Sequence, residues 1–316
     1  MQAKTCVYIG DELASYGFGH EHPFGPDRLG AFWAQACDTG LAGRVAKCIP
    51  VSAGRESLER FHTREYVDRV IAQSATGEGF LDCGDTPAFP GVYESACYVV
   101  GSVLDAIVRL LADEYLHAFV PIAGLHHARR DSAAGFCVFN DCGIAIETLR
   151  AVHGLRRIAY VDIDAHHGDG VFYAFEEDPD LIFADLHEDG QYLYPGTGAV
   201  AESGLDGARG TKLNIPMPPG ADDAAFFAAW ERAEAFIAAH RPEFILFQCG
   251  ADSIAGDPIT HLCYTPAAHR HATVRLCQLA EQCCHGRVLA MGGGGYNRRN
   301  LALAWTAVLG ALEGNG

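Results

Sequence analysis

The chain has 316 residues, 49% of them hydrophobic and 20% charged, with a formal net charge of −17. That composition is globular and ample for a large buried core, and no apolar run reaches the roughly 18 residues needed to span a bilayer. Lysine occurs only at Lys4, Lys47 and Lys212, so no basic tract is available for nucleic-acid phosphates; the summed field would instead steer cationic small molecules or basic peptides.

The amino-terminal MQAKTCVYIG lacks the charged, apolar and small-residue sections of a signal peptide, so a soluble, cytoplasmic protein with no membrane association is expected. The first strong helical pattern is GVYESACYVVGSVLDAIVRLLADEY, with apolar residues at mixed three and four spacing. Three short apolar runs follow, each ending abruptly in polar residues: HAFVPIAG before LHHA, RRIAYVDIDA before HHGDG, and DLIFADL before HEDG. An alanine-rich helix, DDAAFFAAWERAEAFIAAHRP, then stops at Pro242, and two more runs close the pattern, EFILFQCG before AD and RVLAMGGGG before YN. Continuous apolar runs of this length suit strands buried on both faces of a parallel sheet. Their alternation with helices predicts an α/β sheet covered on both faces, read as one domain over 1–316, with its ligand site outside the carboxyl ends of the strands.

The twelve cysteines sit mostly in apolar runs such as ESACYVVG and LFQCGAD and read as buried reduced thiols, since a disulfide scaffold is far denser in cysteine. Cys283, Cys284 and His285 invite a metal reading, but consecutive helical side chains point apart and these lack further partners.

The densest chemical signal is YVDIDAHHGDG. On an extended strand end Asp162, Asp164 and His166 would project from one face as a metal-binding comb. Two carboxylates and an imidazole suit zinc or ferrous iron, with one position left open for water; Asp252, after EFILFQCG, supplies the third ligand if Asp162 serves elsewhere. His126 and His127 follow a strand in GLHHARRDSAAGFC as a candidate acid and base, each needing a carboxylate to fix its tautomer, for which Asp162 and Asp169 are the spare groups. MGGGGYN lacks the lysine and spacing of a phosphate loop; its flexible backbone would instead place the Tyr296 hydroxyl beside a developing oxyanion.

Taken in order, GLHHARRDSAAGFCVFND, YVDIDAHHGDGV, LYPGTG, CGADSIAGDP and GGGGYN resemble the successive signature segments of the histone deacetylase superfamily, including its bacterial acetoin-utilisation and acetylpolyamine relatives, from about Gly19 to Trp305. The resemblance implies the three-layer α/β/α arginase–deacetylase fold with a mostly parallel sheet of about eight strands. It implies a metal-dependent amidohydrolase acting on an acylated amine such as an acyl-lysine. Asp164, His166 and Asp252 match the catalytic metal ligands, zinc being expected and ferrous iron the alternative. His126 with Asp162 and His127 with Asp169 match the tandem catalytic histidines, and Tyr296 the donor to the substrate carbonyl. Phe136 and Tyr194 match the tunnel walls, with Gly135 leaving room between them, and Asp85 in GDTPAFPG matches a rim aspartate that holds the substrate backbone. Arg28 matches an arginine lining an acetate channel. Asp162, Asp164, His166, Asp185 and the Leu186 carbonyl match the ligands of a structural potassium ion.

Ile259 stands where polyamine-selective relatives often carry an acidic gatekeeper, which tilts the expectation away from polyamines. A two-manganese ureohydrolase would need further aspartates where His126, His127 and Tyr296 stand, and a catalytically silent acyl-ligand binder would not need all three.

Overall fold

The computed structural model describes residues 4–19 and 21–314; Met1–Ala3, at the head of the amino-terminal segment read above, His20, Asn315 and Gly316 lie outside the described residues. Eight strands are described: β1 (Thr5–Tyr8), β2 (Ala46–Cys48), β3 (His117–Val120), β4 (Ile158–Asp162), β5 (Leu181–Glu188), β6 (Lys212–Met217), β7 (Phe244–Gln248) and β8 (Val288–Met291). They form one sheet in the order β2-β1-β3-β8-β7-β4-β5-β6, and every pairing is parallel. The five apolar runs singled out in the sequence are β3, β4, β5, β7 and β8. Each is buried along its whole length, as strands covered on both faces must be. The three others carry weaker signals: β1 has four residues, β2 three with an exposed Lys47, and β6 is an edge strand containing Lys212 and Pro216.

Ten α-helices are described: α1 (Asp11–Ala14), α2 (Arg28–Asp38), α3 (Arg55–Leu58), α4 (Arg64–Thr76), α5 (Val92–Leu111), α6 (Asp141–Ala151), α7 (Asp169–Ala174), α8 (Asp223–His240), α9 (Pro266–Cys283) and α10 (Arg298–Leu312). On one side of the sheet α2, α10, α9 and α8 pack in succession; α4, α5, α6 and α7 form the other layer. The two helices read from sequence are α5 and α8. Asp222 caps α8 by accepting from the Ala224 and Ala225 N–H groups, and Arg241 takes a left-handed conformation (φ 48°) just before Pro242. No described helix is long and apolar enough to cross a membrane.

Two local expectations are corrected. β4 ends at Asp162, so Asp164 and His166 lie on the loop beyond it and the comb is not an extended strand. The Cys283 and Cys284 sulfurs lie 3.3 Å apart instead of diverging, because Cys284 has left helical geometry at the end of α9 (φ −123°, ψ 24°). All twelve cysteines are free thiols.

The central strands β3, β8, β7 and β4 are adjacent, so the loops leaving their carboxyl ends converge on one spot. Just beyond β8, Gly292 ties β8 to β3: its N–H donates to the Val120 carbonyl and its carbonyl accepts from the Trp305 indole. A Cβ at Gly292 would fall 1.8 Å from the Pro121 carbonyl oxygen. Gly292→Ala is therefore expected to cost roughly 2–4 kcal/mol by wedging backbone from backbone, and denaturant unfolding would show it; wild-type stability would mean that these strand ends separate freely.

Candidate active site

Asp164 and His166 come from the β4 loop and Asp252 from the β7 loop; all three are buried, and one ligand atom of each lies within 4.8 Å of the others. The carboxylates approach closely because the facing residues are glycines. A Cβ at Gly250 would stand 2.0 Å from Asp164 Oδ2, and one at Gly294 would stand 2.2 Å from Asp252 Oδ2. His166 Nδ1 lies 3.1 Å from Asp164 Oδ1 and 3.0 Å from Asp252 Oδ2. Burial opposes charge throughout the cluster, yet the two carboxylates raise the His166 imidazole to about 10, so a proton is drawn in where a cation is wanted. Burial and the Asp164 charge together push the Asp252 carboxyl up to about 7. A divalent ion fits this donor set, since it would satisfy both carboxylates and leave His166 neutral.

Asp162 does not join that cluster. Its Oδ2 lies 2.8 Å from His126 Nδ1 and accepts from the Tyr160 hydroxyl at 2.6 Å, while its Oδ1 accepts from the Asp164 N–H. His127 Nδ1 lies 2.7 Å from Asp169 Oδ1, at the start of α7. Each carboxylate holds its imidazole through Nδ1 and so fixes the ring's orientation. The two Nε2 atoms face each other at 3.1 Å. Burial, reinforced by neighbouring His126, lowers His127 to about 4, which leaves it unprotonated at neutral pH.

Tyr296 follows β8 through Gly292–Gly295. Its N–H donates to Asp257 Oδ2, and Asp257 Oδ1 accepts from the Ile259 N–H, so one carboxylate staples the glycine loop to the Gly-Asp-Pro loop. Burial and the charges of Asp252 and Asp164 hold its phenol well above the usual value, so the hydroxyl is a donor.

A 240 Å³ pocket opens on these groups, lined by Asp85, His127, Gly135, Phe136, His166, Leu193, Tyr194, Ile259 and Tyr296. Phe136 meets Tyr296 edge to face, and Tyr194 does the same to His127 at 5.2 Å between centroids. Gly135 (φ 54°) and Phe136 (φ 67°) are both left-handed, a conformation glycine adopts freely and phenylalanine only under constraint. A Cβ at Gly135 would lie 2.5 Å from the His127 ring, so this glycine makes room for the histidine as well as for the space between the walls. Asp85 sits at the mouth on a turn built by Asp82, whose Oδ1 accepts from the N–H groups of Gly84, Asp85 and Thr86.

Apart from Leu186, which follows Asp185 in β5, the residues named from sequence thus gather near this centre, and two play visible structural parts there. Buried Arg28 donates to the Gly293 and Gly295 carbonyls and so braces the loop carrying Tyr296; its Nη1 has no partner among the described residues. Buried Asp185 pairs with Asp162 in the β4–β5 register and is bound by His187 Nδ1 and the Gly168 N–H. Four supporting residues escaped the sequence reading: Tyr160; Gln248, which donates to Asp164 Oδ2 at 2.8 Å; Asp257; and His22, whose ring packs edge-on against Phe136. Gln248 and Tyr160 are the polar atoms inside otherwise apolar strands, which is the signal that marks them.

A family model described as the histone deacetylase domain matches residues 22–312. The chain is 35% identical to the acetoin utilization protein AcuC of Bacillus subtilis, covering 99% of this chain and 83% of that one. It is 31% identical to the histone deacetylase clr6 of Schizosaccharomyces pombe, over 98% of this chain and 77% of the relative. The crystal structure of the HDA15 HD domain superposes with a TM-score of 0.90 at 28% identity, covering 99% of this chain and 89% of that one. The fold is accordingly the arginase–deacetylase fold that the resemblance implied.

A divalent metal at a thousandfold excess over its dissociation constant should stabilise the protein by about 4 kcal/mol, or on the order of 10 °C in Tm. Asp252→Asn should erase that response, and its metal-free form should melt no lower than metal-free wild type, because one of two mutually repelling buried carboxylates is gone. A metal-free variant melting well below wild type would mean that the cluster is at rest without a cation.

Proposed function

The chain belongs to the histone deacetylase family, and from that premise we propose that it is a zinc-dependent amidohydrolase that removes acetyl or other acyl groups from an amine such as an acyl-lysine side chain. The observation that carries this reading is the buried Asp164–His166–Asp252 cluster beside two histidine–aspartate pairs at the base of an aromatic-walled pocket. Ferrous iron is the alternative occupant of the same donor set. Bound there, the metal supplies a Lewis acid that polarises an amide carbonyl and acidifies water.

The remaining work falls to the chain's own groups. Phe136 and Tyr194 grip an extended apolar stem and exclude water, Ile259 closes the mouth without offering a charge, and the Asp85 carboxylate accepts from the substrate backbone. His127, unprotonated and fixed by Asp169, takes a proton from the attacking water at Nε2 and delivers it to the departing amine. His126, fixed by Asp162, stabilises the positive charge that arises on the pair. The Tyr296 hydroxyl donates to the carbonyl oxygen as negative charge develops on it, a contribution of roughly 2.7–4 kcal/mol for one aimed donor. Arg28, with one free donor atom behind the Tyr296 loop, suits the acetate channel that the resemblance implies. Asp162, Asp164, His166, Asp185 and the Leu186 carbonyl are proposed to hold potassium, a role supported by the charge crowding of buried Asp162 against Asp185 and Asp164.

The test is hydrolysis of acetyl-lysine peptides, acetylpolyamines and longer acyl-lysines, with chelator and with zinc restored. Chelator-sensitive release of an amine is expected; metal-loaded protein inactive on all three classes would overturn the reading. Tyr296→Phe should bind metal normally and lose roughly 100- to 1,000-fold in kcat, and full turnover would remove it from the mechanism. Burial and Asp82 raise the Asp85 carboxyl to about 6, so its negative charge, and the charge-assisted bond to the substrate backbone, is lost as pH falls through that value. KM for peptides should climb below about pH 6 in wild type, and that limb should be missing in Asp85→Asn.

A further inference from the structure

Beside the tunnel mouth lies a second, larger cavity of 620 Å³ that the proposed chemistry does not use. It shares Asp85, Gly135 and Tyr194 with the tunnel, so the two spaces adjoin at these residues. Its size falls in the range of about 300–1,000 Å³ typical of ligand pockets. Two arginines reach into it: Arg69 from α4, and Arg129, two residues beyond His127.

Arg69 has no carboxylate partner among the described residues, and Arg129 has only one long ion pair. Arg69 donates to the Leu81 carbonyl at 3.0 Å and lies over the Tyr66 ring, and it forms no ion pair among the described residues. The Arg129 side chain is 63% exposed and comes no nearer to an acid than 3.8 Å, at Asp169 Oδ2. Of the two acids of the same cavity, Asp82 is fully hydrogen-bonded within its own turn and Asp85 only in part. Asp82 spends Oδ1 on three backbone N–H groups and Oδ2 on the Thr86 hydroxyl, and Asp85 Oδ1 accepts from that same hydroxyl. The cavity therefore presents unspent guanidinium donors in a chain with 40 acidic and 23 basic residues, and forked N–H donors match a carboxylate in shape as well as charge.

We propose that this rim cavity is a carboxylate subsite, in which Arg69 and Arg129 bind an acidic group carried by the acylated substrate next to the acyl-lysine stem. The proposal rests on the deacetylase reading and narrows it to a substrate class: an acyl-lysine flanked by aspartate or glutamate, or one carrying its own free carboxylate. Both sources present the same group to the same donors, and the geometry of the shared rim demands only that it lie within about one residue of the lysine Cα, a few ångströms of chain.

The experiment compares kcat/KM, on metal-loaded full-length protein, for acetyl-lysine peptides with Glu, Gln or Lys flanking the modified residue, and for a blocked acetyl-lysine ending in a carboxylate or a carboxamide. The carboxylate form should be preferred over its neutral isostere by about fivefold to tenfold at low ionic strength, with the margin shrinking in about 0.5 M salt. Arg69→Gln should reduce the preference and the double variant Arg69→Glu, Arg129→Glu should reverse it in favour of the Lys-flanked peptide. Because Arg129 approaches Asp169, the ratio between substrates is read, which cancels any change in the chemical step. Preference for Glu peptides alone assigns the subsite to a flanking side chain, and preference for the free carboxylate alone assigns it to a small acyl amino acid. Hydrolysis of neutral substrates with a ratio near one, or a ratio unmoved in both variants, overturns the subsite and leaves the deacetylase reading standing. No hydrolysis of any acyl-lysine substrate removes both.

Discussion

Five aspartates, Asp162, Asp164, Asp169, Asp185 and Asp252, are buried in and just beyond β4, β5 and β7, and the arrangement of everything near them follows from the need to compensate that charge. An ionised carboxylate taken from water is tolerated only when hydrogen-bonded and paired. Asp169 is answered by His127, Asp162 by His126 and Tyr160, Asp185 by His187 and the Gly168 N–H, and Asp164 by Gln248 and the Gly294 N–H. Asp252 and Asp164 face one another across His166, whose imidazole they draw up to about 10, and a divalent ion would take the place of that proton between them.

A parallel sheet is the economical way to produce such a concentration. Its strands all deliver their carboxyl ends to the same edge, and four adjacent central strands supply the histidine pair, the two ligand loops and the tyrosine. Because the strands are covered on both faces, polar side chains gather mainly where the chain leaves the sheet, and those inside strands, such as Tyr160, Asp185 and Gln248, are hydrogen-bonded. Close approach of the loops then requires glycine opposite each carboxylate, which is why Gly250 and Gly294 stand against Asp164 and Asp252 with no room for a Cβ.

These constraints explain what the sequence disclosed. Runs such as IAYVD and FILFQ are legible as strands because burial on both faces leaves no polar alternation to confuse them. The abrupt polar ends of the same runs mark the site, so the ligand aspartates, paired histidines and Tyr296 could be named by residue type and order. Whether Asp162 or Asp252 completed the metal set could not be read from spacing. It depends on β4 ending at Asp162, after which the loop turns Asp164 and His166 towards Asp252 and leaves Asp162 beneath His126. Short strands such as AKC carry too few residues for any period to emerge. The rim cavity was illegible for another reason: Arg69, Asp82, Arg129 and Tyr194 come from four separated segments, and only tertiary packing shows which charges are already spent.

The distribution of spent and unspent charge also bears on the chain's overall acidity. A net charge of −17 by itself steers cations towards the molecule, and a substrate chosen by that field alone would be basic. Field strength at a binding site, however, is set by the groups within a Debye length of about 8–10 Å, since more distant charges are screened. At the tunnel mouth Asp82 and Asp85 are hydrogen-bonded within their own turn and Asp169 lies 3.8 Å from Arg129, while Arg69 and Arg129 line the adjoining cavity. The global charge therefore governs which molecules approach, and the local pair of arginines governs which of them fit, so an acidic flank beside the acyl-lysine stem is compatible with an acidic enzyme.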